Sequence, residues 1–368
     1  MRIVLDMQGA QAENRFRGIG RYTMSLAKAI ARNRGEHEII LALSGLFPET
    51  IEPIRAEFDG LLPQENIRVW QAPGPVQECQ PGNEWRRKVA EHIREAFLAS
   101  LRPDIIHVFS LFEGYVDDAV TSIGLFDNTT PVRVTLYDLI PLIHADHYLK
   151  PNPLYHAYYT RKLEHLKKAS LLLAISESSR KEAIEHLGFP EDAVINVSTA
   201  VDECFRPLAL SKEEEERIRR KFGILKPFVL YTGGIDHRKN IEGLIRAYAK
   251  LPESLRADHQ LAIVCSIQPP SRSALKMLAK EQGLQKNELV LTGFVPEEDL
   301  IALYNLCKIF VFPSWHEGFG LPALEAMACG APVIGSNTTS IPEVIGREDA
   351  LFDPHKDDAI AEKLELVL

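Results

Sequence analysis

Cysteine is sparse and positive charge is not in excess. The 368 residues include five cysteines (Cys79, Cys204, Cys265, Cys307, Cys329), an odd number, widely separated and with no C-x-x-C pair. That spacing argues against a disulfide framework or a zinc knuckle and fits reduced, buried thiols of a cytosolic protein. Lys and Arg total 42 against 51 Asp and Glu, a net charge of −9. The chain therefore lacks the basic excess of a general nucleic-acid binder, and any anionic ligand must be held by local groups. No apolar run approaches 18 residues, so no transmembrane helix is expected. Asp6 stands where a secretory signal would need an uninterrupted apolar stretch. His144, Asp146 and His147 come nearest to a metal cluster, but no further ligand accompanies them. What remains is ordinary for a globular protein: 45% hydrophobic and 25% charged residues.

Short β-branched runs alternate with helical segments. Ile3–Leu5, Glu38–Leu43, Ile67–Trp70, Ile105–Phe109, Val132–Leu136 and Leu171–Ile175 read as strands. Between them, Tyr22–Arg32 and Leu154–Ala169 read as helices, and Ser176-Glu-Ser-Ser caps a helix running to His186. Trp85, Val89, Ile93, Phe97 and Leu101, spaced by four, predict a helix with one apolar face. The pattern restarts beyond Phe205-Arg206-Pro207. Phe228–Tyr231 runs into Thr232-Gly233-Gly234 much as Ile3–Leu5 runs into Met7-Gln8-Gly9. The expectation is an α/β chain of two doubly wound, Rossmann-like domains, 1–205 and 206–368, with ligands at the carboxyl ends of the strands and a cleft between the domains.

The most informative string is Ser314-Trp-His-Glu-Gly-Phe-Gly-Leu-Pro-Ala-Leu-Glu325. Gly318 and Gly320 permit a tight turn after a strand, and Pro322 suits the first helical position. The N–H groups near Phe319, Gly320 and Leu321 would then face outward at a helix N-terminus, where phosphate or sugar oxygens bind. Glu325 can accept two hydrogen bonds from a ribose diol, and Glu317 can bind a sugar hydroxyl. In Tyr231-Thr-Gly-Gly-Ile-Asp-His-Arg-Lys-Asn240, the Gly233-Gly234 turn leads to Arg238 and Lys239, a cationic pair suited to a pyrophosphate. Phe16-Arg-Gly18-Ile-Gly20-Arg-Tyr22 is a Gly-x-Gly loop without the third glycine of a dinucleotide fingerprint, which counts against a dehydrogenase. Thr135-Leu-Tyr137-Asp138 ends a strand, and Gly293-Phe294-Val295 is a turn with Phe294 expected in the core.

Glu317-x7-Glu325 within this string resembles the signature of the retaining GT-B glycosyltransferases, in particular the family-4-like nucleotide-sugar enzymes that include bacterial mannosyltransferases and sucrose synthases. The other segments fall in family order along nearly the whole chain. The resemblance implies a GT-B fold with an N-terminal acceptor domain and a C-terminal donor domain. It assigns phosphate clamping to Lys239, donor-phosphate and acceptor contacts to Gly18 and Gly20, and nucleobase contact to the backbone around Val295. Relatives often carry an Arg where Gly234 stands, so either Arg238 substitutes or the clamp is weaker. They often carry His-Asp where this chain has Tyr137-Asp138, which leaves Asp138 as the candidate beside the reacting sugar. The other main glycosyltransferase fold uses an Asp-x-Asp metal handle, and this chain has none. No metal or cofactor is expected, and the nucleotide sugar is a co-substrate.

The function implied is hexose transfer with retention, best read as mannose from GDP-mannose onto a lipid-linked, O-antigen-like surface polysaccharide. Front-face displacement is the implied mechanism, with Glu317, Asp138, Lys239 and Arg238 as the acting groups. A nucleotide-sugar epimerase and a catalytically silent sugar-nucleotide-binding protein are the alternatives. The expected location is cytoplasmic, with peripheral contact at the inner membrane or with other polysaccharide-assembly proteins. Trp85-Arg-Arg-Lys88 and the Tyr155–Lys168 helix, basic and aromatic, are the segments that would touch an anionic membrane. The amphipathic stretch 359–368 stops without a terminator, so a longer polypeptide is expected, with these residues as its first catalytic module.

Overall fold

Both faces of an all-parallel sheet are covered by helices, so its strands read as continuous apolar runs. The computed structural model, which describes residues 1–368, shows such strands in two compact units, Met1–Thr199 and Ala200–Leu368. In the first unit the strands are β1 (Arg2–Asp6), β2 (Glu38–Ser44), β3 (Ile67–Trp70), β4 (Ile105–Val108), β5 (Val132–Leu136), β6 (Leu171–Ala174) and β7 (Val194–Asn196). They form one sheet in the order β3-β2-β1-β4-β5-β6-β7, parallel at every pairing. The second unit contains β8 (Phe228–Thr232), β9 (Gln260–Val264), β10 (Leu289–Leu291), β11 (Ile309–Phe312), β12 (Val333–Ser336) and β13 (Leu351–Phe352). Their order is β10-β9-β8-β11-β12-β13, again all parallel. Every residue of β8, β9 and β11 is buried.

The chain order reverses between β1 and β4 in one sheet, and between β8 and β11 in the other. Loops leaving the carboxyl ends of these neighbours diverge and open a crevice, the usual ligand position in doubly wound sheets.

Helix ends follow local chemistry. Ser176 accepts from the Ser179 N–H at 2.9 Å to start the helix Glu177–Leu187. Ser211 and Glu214 close a reciprocal capping box before Lys212–Phe222. The helix after the Gly-x-Gly loop begins at Gly18, not Tyr22, and runs to Arg32. Gly20 makes this early start feasible: a Cβ there would lie 2.1 Å from the Arg15 carbonyl oxygen.

Two helices of the first unit differ from their sequence reading. Helix Glu84–Ser100 buries Arg87, Ala90, Glu91, Arg94, Glu95 and Leu98. Trp85, expected on the buried face, is 61% exposed, and Val89 is exposed too. The reason is the segment 109–131, which has neither helix nor strand. Its backbone groups need partners, and buried charged side chains supply them. Glu95 accepts from Leu125 N, Phe126 N and Ser122 Oγ. Arg94 donates to the Ser122 carbonyl at 3.0 Å and to Asp6 Oδ2 at 2.8 Å. Gln8 pairs both ways with the Val120 backbone.

Helix Pro153–Leu166 likewise turns its aromatic and basic residues inward. Tyr158, Tyr159 and Lys162 are buried, Lys162 donates to Thr121 O at 2.6 Å, and Arg161 is bidentate on Glu78. Arg87 joins the same Glu78 at 2.9 Å. Arg87, Tyr158, Tyr159 and Lys162 are therefore not part of the basic, aromatic surface expected to face a membrane, whereas Trp85, Lys88, Lys167 and Lys168 are exposed. No helix is long and apolar enough to cross a membrane.

Candidate active site

The second unit's crevice gathers the cationic pair and the carboxylate singled out above. After β8, Gly233 takes φ 149°, and a Cβ there would sit 2.8 Å from the Tyr231 hydroxyl. That hydroxyl donates to the Gly234 carbonyl at 2.9 Å and shapes the turn. Gly234 itself is uncrowded. Arg238 and Lys239 lie in a 3-10 turn, His237–Lys239, ahead of the helix Ile241–Ala249. Asn240, in the left-handed region at φ 54°, ends the turn. Its Nδ2 donates to the carbonyls of Pro313 (3.2 Å) and Pro354 (2.9 Å), tying the turn to the segments after β11 and β13. Trp315 N donates to the Arg238 carbonyl at 2.8 Å.

The 313–320 loop thereby carries Glu317 to the basic pair. Glu317 is 6% exposed. Lys239 Nζ donates to its Oε1 at 2.6 Å, and Arg238 Nη1 to its Oε2 at 2.7 Å. Arg238 Nη1 also reaches the His316 carbonyl at 2.9 Å. Burial alone would raise the Glu317 carboxyl, but Lys239 and Arg238 outweigh it and hold it down at about 2. The backbone is pinned as well: Glu317 N donates to Thr339 Oγ1, and Ser340 Oγ donates to the carbonyls of Glu317 and Phe319.

Gly318 and Phe319 are buried, and Gly320 takes φ 117° immediately before the helix Leu321–Ala328. Pro322 thus occupies the second helical position, one later than expected. A Cβ on Gly320 would meet the Ile341 side chain at 2.9 Å. Glu325 is buried on this helix and accepts from the Tyr304 hydroxyl at 2.9 Å, which also contacts Thr232 Oγ1 at 2.9 Å. Val295 is buried, but Phe294 is 76% exposed at the mouth of β10 and is not the core residue expected.

In the first unit, Gly18 is open and Gly20 crowded, with Arg17 and Arg21 exposed. Tyr137 packs edge-on to Tyr22 with ring centroids 5.6 Å apart, and burial pushes its phenol upward. Asp138 Oδ1 accepts from Ile140 N at 3.0 Å. Sequence reasoning missed Glu113, which follows β4 at this unit's own crevice. It is 3% exposed and accepts from Ser110 Oγ at 2.8 Å and from Asn14 Nδ2, in the 3-10 turn Glu13–Phe16 just before the Gly-x-Gly loop, at 3.0 Å. Burial, assisted by Asp117, pushes its carboxyl up to about 7 against those two hydrogen bonds. Its position five residues past a strand that borders the crevice was the available signal.

Two doubly wound α/β units, one with a basic pair and a buried carboxylate at its switch point, place the chain among two-domain α/β proteins equipped to hold an anionic ligand. Residues 16–205 match the model of Glycosyltransferase Family 4, and residues 214–368 match that of Glycosyl transferases group 1. The chain is 40% identical, over its whole length, to an Escherichia coli protein described as serotype-specific mannosyltransferase WbdA. It is 38% identical over 54% of its length to the Escherichia coli O-antigen chain mannosyltransferase B, of which that match covers 51%. Among solved structures, Anabaena Alr3699/HepE, crystallised with UDP and glucose, aligns over 100% of this chain and 89% of its own, with a TM-score of 0.66 at 17% identity. The chain belongs to this glycosyltransferase family, and its fold is GT-B. It spans 44% of the length of the WbdA relative.

Proposed function

We propose that the chain is a retaining mannosyltransferase module that moves mannose from GDP-mannose to a lipid-linked, O-antigen-like polysaccharide at the cytoplasmic face of the membrane. The observation that carries this reading is the meeting of Arg238, Lys239 and Glu317 at the β8/β11 crevice. The identity to a mannosyltransferase over the full chain supports the choice of sugar.

In the proposed reaction, the bond between the anomeric carbon and the donor phosphate oxygen breaks while the acceptor oxygen bonds the same face. The departing diphosphate takes the acceptor's proton. Negative charge grows on that diphosphate, and fixed cations plus N–H groups at the Leu321–Ala328 helix start would stabilise it without reorganising. Lys239 and Arg238 thus supply the charge a metal would otherwise bring. Glu317 orients the sugar through a hydroxyl, and Asp138, from the first domain, positions the acceptor.

The test is a panel of GDP- and UDP-sugars read by nucleotide release, with a mannose oligosaccharide acceptor and NMR of the product. Acceptor-dependent GDP release with an α-mannosyl product is expected. An inverted product, or nucleotide release that ignores the acceptor, would refute the reading.

A further inference from the structure

We infer that Glu317 is an internal stand-in for the donor's diphosphate, so that donor binding is an exchange of one anion for another on Arg238 and Lys239. The inference rests on the reading that these two cations hold the diphosphate.

The geometry supports it in three ways. Glu317 gives one carboxylate oxygen to each cation, Oε1 to Lys239 and Oε2 to Arg238, at 2.6 and 2.7 Å. A guanidinium presents donors that suit carboxylate and phosphate alike, so the two anions compete for the same N–H groups. The contacts are also well out of water, with the carboxylate 8% and the lysine side chain 13% exposed. In such surroundings a single charge weighs heavily. Finally, the main chain on both sides is fastened. Trp315 N holds the Arg238 carbonyl, while Thr339 and Ser340 hold the Glu317 backbone. The exchange therefore falls to side-chain rotation.

Two consequences follow. A ligand with one negative charge has no electrostatic advantage over Glu317, whereas a diphosphate carries more and displaces it. Glu317 thus sets the charge the site demands. Displacement also frees its carboxylate to turn to the sugar, so the sugar is gripped only after the diphosphate has arrived. Before the exchange, with its carboxyl held at about 2 by the two cations, Glu317 is an anion at neutral pH.

The test is calorimetric binding of GDP, inorganic pyrophosphate and guanosine to the full chain and to Glu317→Gln, Glu317→Asp, Arg238→Ala and Lys239→Ala variants. Glu317→Gln should bind GDP and pyrophosphate about tenfold tighter or more, because a competing charge is gone. Glu317→Asp, whose shorter side chain grips the cations less well, should fall between it and wild type and carries the test if the Gln variant misfolds. Guanosine affinity should not change, and kcat for transfer should fall in both variants even as binding tightens. Equal or weaker GDP binding in both, while Arg238→Ala and Lys239→Ala weaken it, would overturn the exchange alone. Tightening that extends to guanosine would overturn it too. If neither alanine variant weakens GDP binding, the phosphate-site reading fails first and the exchange falls with it.

Discussion

Replacing Glu113 by Gln should make the protein more stable at pH 8 and leave it nearly unchanged at pH 4. Glu113 is raised from 4.5 to about 7 by burial. The folded state therefore holds a proton that the unfolded chain has released, and stability falls as pH climbs from about 4.5 through 7. At about 1.4 kcal/mol per pKa unit, that displacement corresponds to about 3 kcal/mol lost by pH 8. Gln keeps the shape and carries no charge to bury; its one amide oxygen still accepts from Ser110, and its NH2 can donate to the Asn14 amide oxygen once that amide turns over. The groups facing Glu113 are Ser110 and Asp117 from its own segment, Lys162, Tyr155 and Tyr158 from the Pro153–Leu166 helix, Tyr137 from the end of β5 and Asn14 from the turn Glu13–Phe16. Lys162, itself pushed down to about 7 by burial, titrates in the same range, so the informative quantity is variant minus wild type. Urea unfolding of both proteins, followed by a first-unit probe such as Trp70 fluorescence, should show that difference growing with pH. A difference that stays flat from pH 5 to 8 would refute the reasoning.

Gly20→Ala should destabilise the first unit by about 2 kcal/mol or more, because the new methyl collides with the Arg15 backbone, which cannot yield as a side chain would. Thermal unfolding would measure this, and a wild-type melting temperature would count against the crowding. Glu95→Ala should cost about 1–3 kcal/mol, since it leaves the buried Ser122 hydroxyl and the part-buried N–H groups of Leu125 and Phe126 without their acceptor; denaturant titration checks it. Asn240→Ala should cost about 1–3 kcal/mol through two unpaired carbonyls and a left-handed backbone. It should also weaken GDP binding by loosening the basic turn, so calorimetry on the folded variant separates the two effects.

Much of the fold was legible because buried parallel strands announce themselves as short apolar runs. The candidate site was legible where glycines, a basic pair and spaced carboxylates cluster within a few residues, as at 231–240 and 314–325. Helix Glu84–Ser100 shows what was not. Its apolar residues recur at helical spacing, yet Trp85 and Val89 face solvent while Arg94 and Glu95 are buried. Arg94 finds Asp6 88 residues away, and Glu95 finds the backbone around residue 125. Periodicity registers which residues avoid water, not which charges will meet partners across the sheet. Glu113 escaped notice for the same reason, since its environment is built from the turn Glu13–Phe16 and the helix Pro153–Leu166. Phe294 erred the other way, its aromatic character suggesting burial where the turn leaves it in solvent.

The strand order also has a consequence in time. Lys239 and Glu317 are 78 residues apart and meet only because β8 and β11 are neighbours. The pair cannot form until these strands lie side by side, and the β9–β10 excursion between them must already be laid down. On a ribosome, the loop carrying Glu317 emerges long after the turn carrying Lys239, which must wait for it as an unpaired cation. Formation of the Lys239–Glu317 pair in a nascent or refolding chain would therefore report the moment at which the central pair of strands closes.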